Sequence, residues 1–214
     1  MRYGDILPEG FNIPTSAFWL RKDLTPEGNP FKLVEIRTGD KVMDCGAYIG
    51  TFAAACMEQG AESVACYEAA PKNAALLREN MKRYPHVQVV EGALTTKIDV
   101  ETVVLTMSGF SGANSILPSP NRKKSISVIA RYFRFHVLDL APTIIKLDVE
   151  GAEYDLLDSL QSGDLMSVRT VFIEFHPIAD RDARIERVKK YLTTEKFTII
   201  STRRRAFVAT KETA

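Results

Sequence analysis

The sequence predicts an α/β protein built on a mostly parallel sheet with helices on both faces. From Lys41 onward, short apolar runs rich in β-branched residues alternate with segments whose apolar residues recur at helical spacing, as in a covered parallel sheet. Charged side chains follow several of these runs, and such sheets bind ligands at the carboxyl ends of their strands. The chain has 214 residues, and at ~150 residues per domain this length favours a single domain.

The elements follow in chain order. The expected strands are 41–46, 63–68, 87–94, 143–149 and 168–176, followed by a terminal hairpin of FTIIST and RAFVAT that turns at Arg203 and Arg204. Helices are expected between the strands, because apolar residues there recur three and four positions apart. Gly60 is expected to end the first helix, and Pro71 to begin the second.

Two regions depart from this alternation. Residues 95–140 are expected to be a β-rich insertion, with strands over 100–107 and 125–138 around a long loop of Gly, Ser and Pro. A loop of ~15 residues in a compact domain is usually functional or disordered. Residues 1–38 are expected to form an N-terminal extension packed on the core, and residues 39–214 a single domain.

The composition limits the classes of partner. Lys and Arg total 28 while Asp and Glu total 27, a net charge of +1, so no global field favours nucleic acid or an anionic membrane. No apolar run approaches the ~18 residues of a membrane span, and the N-terminus lacks the apolar core of a signal peptide. Cys45, Cys56 and Cys66 lack the spacing of a disulfide framework or a zinc site. We therefore expect a cytoplasmic protein.

A candidate ligand site begins at DCGAYIG, residues 44–50. Glycines at 46 and 50 allow a tight turn, and N–H groups of the following helix are expected to face a ligand, although a structural glycine turn gives the same letters. Asp44 lies where a phosphate-binding loop avoids negative charge, and Glu68 ends the next strand, where an acid can bind ribose hydroxyls. This combination suits a cationic nucleoside without a pyrophosphate, and S-adenosylmethionine is such a ligand.

A second group of charges lies on the fourth and fifth strands of the expected sheet and at their carboxyl ends. Period-2 alternation puts Lys146, Asp148 and Glu150 on one face, and Glu174 and His176 likewise share a face. Strands of a covered parallel sheet are normally apolar, and an unpaired buried charge costs several kcal/mol. If the two strands are neighbours, these side chains converge at the carboxyl edge. The alternative for Lys146 and Glu174 is a buried ion pair with a purely structural role.

Four segments carry a family resemblance: DCGAYIGTFAAAC, CYEAAPKNAALLRENM, VQVVEGALT and IIKLDVEGAEYDLL. In this order, from about Lys41 to His176, they resemble the FkbM-type family of S-adenosylmethionine-dependent methyltransferases, and IKLDVEGAE is the most distinctive block. The resemblance implies a class I methyltransferase fold with seven strands in the order 3-2-1-4-5-7-6, the last antiparallel. It also implies O-methylation, often of sugar or polyketide hydroxyls.

The resemblance further implies which residues bind the cofactor. The turn from Asp44 to Gly50 should hold the methionine part, Glu68 the ribose and Glu91 to Ala93 the adenine, while Asp148 should lie beside the methyl group. The implied cofactor residues are Asp44, Gly46, Ala47, Tyr48, Gly50, Glu68, Glu91, Gly92, Ala93 and Asp148. One departure is Tyr48, where the family usually has Asn.

The chemistry of hydroxyl methylation suggests a base. Such a base on an alcohol is worth roughly 10²–10⁴-fold in rate. His176 is the candidate, because an ordinary histidine pKa near 6.5 leaves the ring mostly neutral at pH 7. Asp148, Lys146 and Glu174 complete the predicted catalytic set. Acids near these positions lack a spacing diagnostic of Mg²⁺, and we expect no metal.

The acceptor is expected to be a small molecule or glycan. Asn114 and Ser115 resemble a family loop that covers the acceptor side, and Glu150 is expected near it. Arg203 and Arg204 at the hairpin turn favour an anionic acceptor, because arginine forks suit phosphate groups. The alternative is a solvated turn that is simply rich in basic residues.

Two alternatives remain open at the level of sequence. A Lys/Asp/Glu pocket also suits RNA ribose methylation, but the chain shows neither a basic excess nor an RNA-binding appendage. The other alternative is a non-catalytic protein that binds S-adenosylmethionine or a nucleotide. The absence of G-x-G-x-x-G disfavours a dehydrogenase-like form of it, and a pure sensor leaves the convergent charges unexplained.

Overall fold

A computed structural model gives the architecture. It describes residues 7–17, 20, 31, 33–107, 114–117, 124–203 and 206–212, with backbone alone at 16 and 201–203. Within these ranges, none of the helices has the length and apolar character needed to cross a membrane.

The described residues contain ten strands, which form two sheets. The strands are β1 (Lys41–Cys45), β2 (Ser63–Glu68), β3 (Val87–Glu91), β4 (Ala93–Thr95), β5 (Thr102–Met107), β6 (Lys124–Tyr132), β7 (Ile144–Leu147), β8 (Thr170–Glu174), β9 (Thr198–Arg203) and β10 (Ala206–Thr210). The larger sheet has the order β3-β2-β1-β7-β8-β10-β9. Its neighbours pair in parallel except β10, which is antiparallel to both β8 and β9. With β4 to β6 set aside, this is the expected order 3-2-1-4-5-7-6.

Helices cover both faces of the larger sheet. They are α1 (Thr51–Glu58), α2 (Pro71–Met81), α3 (Phe133–Leu140), α4 (Glu153–Asp158) and α5 (Arg181–Thr194), and a 3-10 turn spans Thr15–Ala17. Because side chains alternate along each strand, Met43 and Ile145 pack on one face with α3, α4 and α5. Val42 and Ile144 pack on the other face with α1 and α2. The predicted α/β class is confirmed.

The smaller sheet has the order β4-β6-β5, and its boundaries differ from the sequence prediction at two places. The expected strand over 87–94 divides at Gly92, where β3 ends and β4 enters the second sheet. The expected strand over 125–138 ends at Tyr132, and α3 begins at the next residue. Its apolar residues fit a helix as well as a strand, so the letters alone did not mark the change.

A buried polar cluster ties the amino ends of the strands together; we call Asp40, Thr143 and Arg169 the amino-edge cluster. The Asp40 carboxylate accepts hydrogen bonds from Arg169 Nη2 at 2.7 Å, Thr143 Oγ1 at 2.7 Å and the backbone N–H of Arg37 at 2.6 Å. Arg169 also donates to the carbonyl of Glu35. The cluster therefore fixes the segment that enters β1.

Candidate active site

A cleft lies at the carboxyl ends of β1, β2 and β7. Seven residues that the sequence assigns to the site line it: Gly46, Tyr48, Glu68, Ala93, Asn114, Asp148 and Glu150. Asn73 and an apolar wall of Leu94, Leu105 and Ile116 complete much of the surface. Of the five charged groups predicted to converge at the carboxyl edge, Asp148 and Glu150 line this cleft.

The glycine turn is held by contacts within the protein. A Cβ on Gly46, at φ +81°, would lie 1.8 Å from the carbonyl oxygen of Asp148. The N–H groups of Gly46 and Ala47 both donate to the carbonyl of Tyr67, at 2.9 and 3.0 Å, and that of Gly50 donates to the carbonyl of Ala47. These three N–H groups are used to close the turn, whereas the N–H groups expected to face a ligand are those of the helix that follows, and that expectation stays a prediction. The N–H groups of Gly46, Ala47 and Gly50 therefore donate within the protein, and the turn contributes to the shape of the cleft.

Tyr48 occupies a left-handed backbone conformation, with φ +53°. Asn adopts this conformation more readily than a bulky side chain does. The backbone therefore gives a physical reason for the Asn that the resembled family usually has here.

Glu68 is buried beneath the turn and links it to α2. Its Oε2 accepts the N–H of Tyr48 at 2.9 Å, and its Oε1 accepts the N–H of Ala70 at 2.9 Å and the amide of Asn73 at 3.2 Å. Burial raises the pKa of Glu68 to about 7, although these hydrogen bonds act in the opposite direction. Since each carboxylate oxygen can accept two hydrogen bonds, Oε2 retains capacity for a donor in the cleft.

Lys146 lies at the centre of a second buried group. Its Nζ is 3.0 Å from Oδ1 of Asp44, 2.9 Å from the carbonyl oxygen of Gly46 and 3.5 Å from Oδ2 of Asp148. Burial opposes its charge, but Asp44 and Asp148 outweigh that effect and raise the pKa of Lys146. The structural alternative named Glu174 as the partner; among the ion pairs of the described residues, the partners are Asp44 and Asp148.

Asp44 differs from its expected role at the ligand. Its side chain has no exposed surface and does not belong to the cleft lining. Burial raises the pKa of Asp44 against the influence of Lys146, and its Oδ2 has no hydrogen-bond partner among the described residues. The sequence located this acid at the strand end correctly, but strand alternation turns the carboxylate inward, toward Lys146.

His176 is not among the lining residues of the cleft, but it lies among three acids, two of which line it. Its Nδ1 is 3.3 Å from Oε1 of Glu153, and its Nε2 is 3.8 Å from Oδ1 of Asp148 and 3.6 Å from Oε2 of Glu150. Burial alone would lower the pKa of His176, but Glu153, Asp148 and Glu150 together raise it to about 9. The expectation of a mostly neutral ring at pH 7 is therefore wrong for the protein without a ligand. Glu153 lies on α4, the helix that follows β7, so the alternation of side chains along the strands did not identify it.

The remaining predicted residues divide between the cleft rim and positions away from it. Ser115 donates from Oγ to the carbonyl of Glu150 at 2.6 Å, and this bond holds the segment 114–117 against the backbone at Glu150. Glu91 instead pairs with Arg78 at 2.8 Å, outside the cleft lining.

Two further residues expected near the adenine or the acceptor are less directly placed. The N–H of Gly92 donates to the carbonyl of Glu68, so the backbone of this residue is tied to the carboxyl end of β2, outside the cleft lining. The backbone of Arg203 ends β9 opposite Ala206, near the carboxyl end of β8, and Arg204 lies outside the described residues. The anionic class of acceptor stays a prediction.

Comparison with known proteins identifies the family. The family model described as "Methyltransferase FkbM domain" matches residues 44–200. The chain belongs to the FkbM methyltransferase family. This match covers the glycine turn, the cleft acids and His176 in one continuous span, so the resemblance is confirmed.

Solved structures support the fold of this FkbM protein. An FkbM methyltransferase from Methylobacillus flagellatus KT is similar at a TM-score of 0.58 and 17% identity, over 94% of this chain and 48% of that one. This chain therefore spans about half the length of that relative.

Two other solved structures share the fold. A precorrin-6y C5,15-methyltransferase from Geobacter metallireducens GS-15 matches at a TM-score of 0.52 and 9% identity, over 97% and 96% of the two chains. An O-methyltransferase from Bacillus cereus in complex with SAH matches at 0.50 and 13%, over 97% and 86%. No curated protein sequence matches. Together, the sheet and these neighbours establish a class I, Rossmann-like methyltransferase fold.

Proposed function

We propose that this FkbM protein is an S-adenosylmethionine-dependent O-methyltransferase that acts on a hydroxyl of a sugar, glycan or related small molecule. One observation carries the proposal: in a chain of a methyltransferase family, Glu68, an apolar wall and the acids Asp148 and Glu150 line a single cleft. These three features suit the three chemically different parts of the cofactor.

The residues that line the cleft suit the separate parts of the cofactor. Glu68 would accept a hydrogen bond from a ribose hydroxyl at its Oε2, and the apolar wall of Leu94, Leu105 and Ile116 would contact the adenine. Asp148 and Glu150 would attract the positively charged sulfonium and amino groups, because opposite charges a few ångströms apart in a partly dry site attract strongly. When bound, the cofactor supplies a methyl group on a sulfonium that is already activated for displacement.

The chain's own task is then to align the acceptor and remove its proton. Segment 114–117, held to Glu150 by Ser115, would exclude water from the acceptor side. His176 would take the hydroxyl proton once its ring is neutral, since only a neutral imidazole can accept one. Among the described residues no group of three or more His, Cys, Asp or Glu side chains is arranged to hold a metal ion. No residue of this mechanism needs one.

The net charge favours this function over RNA methylation, and the cysteines bear on the compartment. A net charge of +1 gives no support to an RNA acceptor. Cys45, Cys56 and Cys66 are free and buried, which supports the proposal that the protein works in a reducing compartment such as the cytoplasm.

Direct binding and transfer assays test the proposal. Mass spectrometry of ligand that copurifies, followed by calorimetric titration with S-adenosylmethionine, should show a one-to-one complex. Incubation with methyl-labelled cofactor and a panel of sugars and glycans should then transfer label to an oxygen atom. Absence of cofactor binding would overturn the proposed function, and label on nitrogen or carbon would overturn O-methylation.

Glu68→Ala provides the sharpest variant. It removes the carboxylate that would hold the ribose, at a cost of about 1–3 kcal/mol for hydrogen bonds to a charged group, so cofactor affinity should fall roughly 10- to 100-fold. Glu91→Ala is the matched control, because Glu91 is also an acid at a strand end but lies outside the cleft lining. Equal affinities of the two variants would remove the ribose role of Glu68.

A further inference from the structure

The two ring nitrogens of His176 have partners of very different rigidity. Nδ1 lies 3.3 Å from Oε1 of Glu153, a carboxylate with no exposed surface. The same Oε1 accepts the backbone N–H of His176 at 2.7 Å, and Oε2 accepts that of Gly151 at 2.8 Å. Glu153 is thereby fixed to two backbone segments, and the Nδ1 side of the ring is fixed with it.

The Nε2 side is held more loosely and faces two acids that line the cleft. Nε2 is 3.8 Å from Asp148 and 3.6 Å from Glu150, distances that give charge attraction without a short hydrogen bond. Both acids line the cleft and keep about a fifth to a quarter of their side-chain surface exposed (27% and 20%). A cation that enters the cleft therefore meets the same carboxylates that hold the Nε2 proton.

The other charged side chains of this region, Lys146, Arg181 and Glu174, do not line the cleft. Lys146 is bound to Asp44 as well as to Asp148. The Tyr154 hydroxyl donates to the carbonyl of His176 at 2.9 Å. Burial raises the pKa of Tyr154, and the charge of Arg181 opposes that rise. Glu174 ends β8, two residues before His176. Of the ionised groups in contact with the ring, Asp148 and Glu150 are the two that also line the cleft.

We propose that Glu153 is a positioning residue for His176, and that a cation bound at Asp148 and Glu150 expels the proton from Nε2. The inference rests on the proposed function, because the cation it invokes is the sulfonium cofactor. One positive charge enters the cleft and the Nε2 proton passes to solvent, while the other ring proton stays on Nδ1, facing Oε1 of Glu153. The Nε2 lone pair is then free to take the proton of the acceptor hydroxyl. His176 thus becomes a base only when the methyl donor is present.

Proton release on binding tests this coupling without turnover. The probes are S-adenosylmethionine, S-adenosylhomocysteine, which lacks the sulfonium charge, and sinefungin, which has an amine there and no transferable methyl. Calorimetry at about pH 8, in buffers of different ionisation enthalpy, counts the protons released. The two cationic ligands should release close to one proton more than S-adenosylhomocysteine, whose shared amino acid part serves as the baseline.

Variants locate the source of that proton. His176→Gln should abolish the difference between the cationic and the neutral ligand, whereas His86→Gln should retain it, because His86 is an exposed histidine that precedes β3 at the opposite edge. If S-adenosylmethionine binds with the same proton count as S-adenosylhomocysteine, the coupling is wrong while the proposed function stands. If S-adenosylmethionine does not bind, both are wrong.

The role of Glu153 has its own readout. Glu153→Gln keeps the shape of the side chain but removes its charge, so the pKa of His176 should fall and the extra proton release at about pH 8 should shrink. Should that variant fail to fold, nuclear magnetic resonance of the ¹⁵N-labelled wild-type protein with sinefungin decides the question. The expected result is a neutral ring with its proton on Nδ1, and a ring protonated on Nε2 would overturn the positioning role.

Discussion

The two edges of the central sheet each bury an acid with a basic partner, but they satisfy the acid to different degrees. At the amino edge, the two oxygens of Asp40 accept three hydrogen bonds within 2.7 Å, from Arg169, Thr143 and the backbone of Arg37. At the carboxyl edge, one oxygen of Asp44 accepts a hydrogen bond from Lys146, and the other oxygen has no hydrogen-bond partner in the described part of the chain.

The difference indicates separate roles for chemically similar groups. A fully satisfied buried cluster fixes a structure, whereas an excess of acids over bases beside a cleft leaves charge for a ligand to neutralise. The excess is carried by Asp148, Glu150 and Glu153 around His176. We therefore expect changes at the amino edge to alter stability alone, and changes at the carboxyl edge to alter stability and binding together.

Lys146→Met should have the largest effect. It leaves Asp44 buried without a counter-charge, and breaking such a pair costs about 4 kcal/mol. Urea unfolding measures the loss. The double variant Asp44→Asn, Lys146→Met should recover much of it because no buried charge remains. A double variant as unstable as the single one would show that packing, rather than charge, controls this site.

Arg169→Met breaks the corresponding pair at the amino edge. We expect a loss of about 3 kcal/mol in the free energy of unfolding, smaller than at Lys146 because Asp40 keeps its bonds to Thr143 and Arg37. Cofactor affinity of the folded protein, measured by calorimetry, should be unchanged. A loss of affinity larger than twofold would contradict the separation of the two edges.

The raised pKa of His176 predicts a pH-dependent stability. In the folded protein the pKa is about 9, compared with an ordinary value of 6.5, so the folded state binds the proton more tightly. The extra stability is fully present below pH 6.5 and is lost as the pH rises through 9. The loss is about 2 kcal/mol once partial solvent exposure is considered. Urea unfolding from pH 6 to 9.5 should show it in the wild type and not in His176→Gln; parallel curves would contradict the prediction.

Ser115→Ala should have the smallest effect. Its hydroxyl donates to the carbonyl of Glu150 and accepts the N–H of Leu117, and loss of such bonds costs about 1 kcal/mol. Thermal unfolding should detect this change, and the dissociation rate of the cofactor should rise because segment 114–117 is held less firmly. An unchanged dissociation rate would show that this segment does not cover the bound cofactor.

The sequence predicted the fold and the location of the cleft more completely than it predicted which charged side chains pair with each other in the cleft region. Strand alternation and the family segments predicted the sheet, its order and the acids at its carboxyl edge. The strand expected over 125–138 was too long because the apolar pattern continues through Tyr132 into α3. Tertiary packing, rather than local pattern, decides where such a segment changes conformation.

The partners of the buried charges were the least predictable feature. The sequence suggested Glu174 as an ion-pair partner of Lys146, but the β1–β7 register places Lys146 beside Asp44. The neutral state expected for His176 failed for a similar reason: Glu153 belongs to α4, 23 residues earlier in the chain, and alternation along a strand says nothing about a helix. Contacts between elements need the three-dimensional structure.

The glycine at position 46 limits how sequences of this kind can be interpreted. Any side chain there would collide with the carbonyl of Asp148 whether or not a ligand is ever bound. A related chain that had lost its catalytic activity would still require this glycine in order to fold. Glycine at position 46 therefore reflects the close approach of the segments that follow β1 and β7, and by itself it does not identify an active enzyme.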